Sequence, residues 1–139
     1  MNATEATRQL EEIADAGDDF AQQSSQLTAK WEVDPKGSEA VEPILRFMES
    51  RPHIDYGAPG PLVHFVENFP NYEAKLVESV ERHPTPHTVW MLNRVINDSD
   101  DAQQREALLS VLKQVIQNPA ADDLTRSSAS EFLEFQKGE

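Results

Sequence analysis

Cysteine is missing from the 139 residues, which removes disulfide frameworks and thiol chemistry from consideration. Basic residues are scarce: twelve lysines and arginines face twenty-five aspartates and glutamates, a formal net charge of −13. Such a field repels nucleic acid and anionic membrane surfaces, and it draws in a cationic protein partner. No apolar run approaches the length of a membrane span, and the first residues show no basic-then-apolar leader. The expected location is therefore cytoplasmic. A phosphate-cradling loop with its lysine, a G-x-S-x-G elbow and an HExxH pair are also lacking. With no motif to name a reaction, the expectation is a non-enzyme that uses no cofactor and no metal.

What is present is helical spacing, punctuated by proline and glycine. Val41, Ile44, Leu45 and Met48 share one face of a helix over about 39–50, and Arg51-Pro52 ends it. Pro61 suits the first position of the next helix, whose buried face would carry Leu62, Phe65, Val66 and Phe69. Asn71 then caps a helix holding Tyr72, Leu76, Val77 and Val80 inward, and Thr85-Pro86 starts another with Val89, Leu92, Val95 and Ile96 inward. Leu108, Leu109, Leu112, Val115 and Ile116 line a longer helix over about 101–117. Leu124, Phe132 and Phe135 mark the last one. These readings give an all-α single domain, 1–139, of six to eight helices. Three antiparallel pairs fill 38–137: 39–50 with 61–69, 71–83 with 86–97, and 101–117 with 121–136. The pairs would stack as a short HEAT-like superhelix or close into a compact orthogonal bundle. Residues 1–32 hold only Leu10, Ile13, Phe20, Leu27 and Trp31 as large apolar residues, and are expected to lie loosely on the domain as an N-terminal helical cap.

Candidate contact residues follow from the helix opposite to the apolar arcs. Over 86–97 that side collects Trp90, Asn93, Arg94 and Asn97, with His87 at its edge. Tryptophan and arginine are the residues most enriched where binding energy concentrates. On the helix after Pro61, the same arithmetic turns His64, Glu67 and Asn68 away from the core. With the rigid Tyr56–Gly60 loop, these residues would line one groove. A pocket built on His64, Glu67, His87 and Arg94 is the enzyme or ligand-binding alternative, although their spacing matches no metal or catalytic motif. Acidic pairs at Glu11-Glu12, Asp18-Asp19, Asp100-Asp101 and Asp122-Asp123 sit at helix ends. The last two are placed to complement a helix N-terminus.

The stretches His87-Thr88-Val89-Trp90-Met91-Leu92-Asn93-Arg94 and Gly57-Ala58-Pro59-Gly60-Pro61-Leu62-Val63-His64-Phe65 resemble those of small acidic helical immunity proteins from bacterial toxin–immunity systems, including contact-dependent growth inhibition. The resemblance covers about 50–100. It implies a stoichiometric inhibitor of a cationic toxin domain, often a nuclease, and it carries over no catalytic residue. A helical-repeat adaptor for another protein is the related expectation.

Overall fold

The computed structural model describes residues 1–17 and 19–137, so Asp18 of the second acidic pair lies outside the described residues. Eight α-helices form among them, and no strand does. The all-α class is as the apolar spacing predicts. The chain divides into two compact units, Met1–Tyr72 and Glu73–Glu139.

The first unit holds α1 (Ala3–Asp15), α2 (Phe20–Glu32), α3 (Val41–Ser50) and α4 (Pro61–Glu67). Asn2 caps α1 by accepting from the Glu5 amide at 2.9 Å, and Asp19 caps α2 by accepting from the Gln22 amide at 3.3 Å. Each satisfies an amide that has no partner within its own helix. The link between them turns through Gly17 at φ 75°. Buried Phe20, Ser24, Leu27, Thr28 and Trp31 fall on one face of α2, and Trp31 donates its indole N–H to Gln9 of α1 at 3.3 Å. A 3-10 turn at Gly37–Ala40 leads into α3. A Cβ at Gly37 would stand 2.3 Å from the Trp31 carbonyl oxygen, so only glycine admits this approach.

Residues 1–32 are therefore no loose cap. Helix α1 packs on α3 and α2 packs on α4, and Leu10, Phe20, Leu27 and Trp31 are all core residues. A few large side chains suffice because small Ala6 and Ser24 fill the remaining inner positions. Phe20 stacks on Phe47 with ring centroids 5.6 Å apart, and Tyr56 meets Phe20 edge-on at 5.5 Å. Trp31 and Phe65 form a second aromatic contact at 5.7 Å. Phe47 and Val63, left off the predicted inner faces, are also buried.

The second unit holds α5 (Tyr72–Arg82), α6 (Pro86–Asp98), α7 (Ala102–Gln117) and α8 (Asp123–Lys137), the first residue of α5 falling in the preceding unit. Asn71, expected to cap α5, takes φ 67°, a left-handed conformation that asparagine tolerates. Thr85 and Thr88 form a reciprocal capping box at the start of α6. Asp101 caps α7, and Asp122 accepts from both the Thr125 amide and its hydroxyl at the start of α8. Helices α7 and α8 pack together, and α6 packs on both. The core is Leu76, Val80, Val89, Met91, Leu92, Val95, Ile96, Leu108, Leu112 and Val115. On α8 the inward positions are Thr125, Ala129 and Gln136, whereas Leu124 and Phe135 face outward at 58% and 59% exposure.

Candidate functional site

The nine residues singled out from sequence fall in both units. In the first unit, His64 and Asn68 are exposed and Glu67 is half-buried. One turn of α4 brings His64 Nδ1 within 3.8 Å of Glu67 Oε1. They occupy the outer side because Leu62, Val63, Phe65 and Val66 take the inner one.

Tyr56 corrects the expectation. It is 1% exposed and presents nothing to a partner. Its ring fills the gap beside Phe20 and Phe47, and its hydroxyl donates to the Arg51 carbonyl at 2.7 Å. Burial raises the phenol's pKa well above its ordinary value of 10.0. The Gly57–Pro61 loop is thus first a packing device. A Cβ at Gly60 would overlap the Tyr56 carbonyl oxygen, at 1.7 Å. Arg51 completes the junction by pairing with Glu11 and Asp15 of α1, while its guanidinium lies 5.9 Å from the Phe47 ring centre.

In the second unit, α6 carries the remaining five. His87, Trp90 and Arg94 are half-buried, and the His87 and Trp90 rings meet edge-on at 5.4 Å. Asn93 is the second correction: it is 7% exposed and its side-chain oxygen accepts from Gln136 Nε2 at 2.9 Å. The same nitrogen donates to Asn97 Oδ1 at 2.7 Å. Asn93 therefore faces α8. Sequence alone turns it outward because an amide side chain is polar, whereas packing gives it a polar partner inside, Gln136.

Sequence reasoning missed Arg105, Phe135 and Gln136. Arg105 of α7 donates through Nη1 to the Ile96 carbonyl at 3.1 Å and through Nη2 to Gln136 Oε1. With Asn97 and Phe135, these residues line a cleft of about 530 Å³. The one available signal misleads. Phe132, Phe135 and Gln136, at i, i+3 and i+4, share one side of a helix, so the spacing reads both aromatics as inward. Packing instead buries Gln136 and leaves Phe135 exposed.

Exposed carboxylates outnumber exposed lysines and arginines among the described residues. The first unit contains thirteen acidic and five basic residues, a net −8, and the second twelve and seven, a net −5. Asp34 is held below the ordinary carboxylate range, chiefly by the hydrogen bond its side chain accepts from the Lys36 amide at 2.8 Å. Among the described residues, no group of three or more histidine or acidic side chains is placed to hold a metal ion. No helix among them is long and apolar enough to cross a membrane.

These features define an acidic all-helical protein with an aromatic–arginine face on one helix. No family model, curated protein or solved structure matches the chain.

Proposed function

We propose that this protein binds a cationic protein partner stoichiometrically through its carboxylate-bearing helical surface, as an immunity protein holds its toxin. The supporting observation is the net −8 of the first unit, with exposed carboxylates at Glu12, Asp15, Asp19, Glu32, Glu39 and Asp55. Charges of one sign spread over a surface accelerate encounter with a partner of the other sign. The half-buried Trp90 and Arg94 supply the kind of side chains on which such complexes concentrate their binding energy.

The experiment is co-expression with the product of the reading frame adjoining the gene, followed by capture over a series of salt concentrations. The expected result is rescue of growth and a one-to-one complex with a basic partner, whose association rate falls as salt rises. The variant Glu32→Lys with Glu39→Lys should slow association without unfolding the chain, since both side chains are exposed. Trp90→Ala with Arg94→Glu should shorten the lifetime of the complex. A neighbouring product that is neither toxic nor captured would defeat the immunity reading. A complex indifferent to salt and to the lysine pair would defeat the charge argument.

A further inference from the structure

We infer that the cleft between α6, α7 and α8 is a binding site for an organic carboxylate attached to an apolar group, such as the C-terminal residue of a peptide. The polarity of its walls follows from one donor. A guanidinium can only donate hydrogen bonds, so the end of Gln136 that meets Arg105 must be its oxygen, Oε1. The amide nitrogen of Gln136 is thereby committed to the opposite side, where it donates to Asn93 Oδ1 and Asn97 Oδ1. Each asparagine then has its oxygen turned toward Gln136, and exposed Asn97 turns its Nδ2 amide outward.

The consequence is a cleft whose outward-facing side-chain groups, from Arg105 and Asn97, are donors. Both bonds of Arg105 go to neutral oxygens, the Ile96 carbonyl and Gln136 Oε1, and leave three of its five N–H groups outside them. In a chain of net charge −13, half-buried Arg105 meets no carboxylate among the described residues. Four other arginines, Arg8, Arg46, Arg51 and Arg126, each do. Phe135, 59% exposed on the same wall, supplies an apolar surface beside the donors. Gln136, at 6% exposure, anchors the arrangement from beneath. An acceptor-only anion with an apolar neighbour satisfies both halves of the cleft, and its bonds to the guanidinium are of the stronger, charge-assisted kind. About 530 Å³ is within the size range of small-molecule pockets.

The test is nuclear magnetic resonance titration of the intact protein, following the Asn97 side-chain amide and the Arg105 Nε–H. Four probes are used: a short peptide ending in a free leucine carboxylate, the same peptide amidated, N-acetyl-leucine, and inorganic phosphate. The free-acid peptide should shift both signals saturably and the amidated one should not. Equal binding of N-acetyl-leucine also supports the site and assigns it to free acids rather than peptide ends. The most selective variant is Asn97→Asp. It keeps an oxygen for Gln136 to donate to, but replaces the outward donor by a negative charge. It should fold normally and bind the free-acid peptide at least about tenfold more weakly. Phe135→Ala, at an exposed position, should also fold and weaken the peptide. Equal responses to acid and amide, a phosphate response matching the peptide, or undiminished binding by Asn97→Asp would each overturn the inference.

Discussion

At the scale of single residues, the junction of Arg51, Tyr56 and Gly60 shows how local chemistry holds the first unit together. The Tyr56 phenol is buried and donates to a main-chain carbonyl. Tyr56→Phe removes that bond and should cost about 1 kcal/mol in denaturant unfolding. The raised phenol pKa also has a sign. The neutral form is favoured in the folded protein, so this contribution is complete below pH 10 and is lost as pH climbs above it. Stability measured across the alkaline range should fall more steeply for the native chain than for the phenylalanine variant. Gly60 stands at φ 96° with the Tyr56 carbonyl where a Cβ would go. Gly60→Ala should therefore destabilise by roughly 3 kcal/mol, the scale of a forced backbone outlier. A variant as stable as the parent would mean that the loop has another conformation.

At the scale of elements, the start of α6 rests on two buried hydroxyls. Thr88 N–H donates to Thr85 Oγ1 at 3.2 Å, and Thr85 N–H donates to Thr88 Oγ1 at 3.1 Å. Thr85→Ala should cost between about 1 and 2 kcal/mol, because the cap is lost and a buried group loses its partner. Chemical denaturation and amide exchange at the first turn of α6 would measure it. This element was legible beforehand, since threonine followed by proline states both the cap and the first helical position. The inner faces of α3, α6 and α7 were legible for the same reason: Ile44, Leu92 and Leu112 recur at helical spacing, and all are fully buried. Helix α8 was not. Its inner positions are a threonine, an alanine and a glutamine, chosen by what α6 and α7 present to them, and no single-helix period encodes that. Asn93 was misplaced by the same gap, because its partner lies 43 residues away. Tyr56 was misread because a phenol beside glycines and prolines looks like a loop residue until its neighbours Phe20 and Phe47 are in place.

At the scale of the whole molecule, charge should act on folding and on binding with opposite signs. A net −13 opposes compaction by self-repulsion. Added salt screens this, with a decay length of about 10 Å at 0.1 M, so the thermal midpoint should rise with ionic strength. Capture of a cationic partner should weaken over the same range. Calorimetry and binding measured in one salt series would show the two curves crossing. A midpoint that fell with salt would mean that attractive ion pairs, such as those of Arg51, outweigh the general repulsion.

The two tryptophans add an optical consequence. Trp31 is 2% exposed within the first unit, and Trp90 is half-buried within the second. Each half of the chain thus carries its own single tryptophan, the former shielded from water and the latter at its edge. Replacing Trp90 by phenylalanine would leave a blue-shifted emission that reports the melting of residues 1–72 alone, and so the order in which the halves come apart could be followed by light.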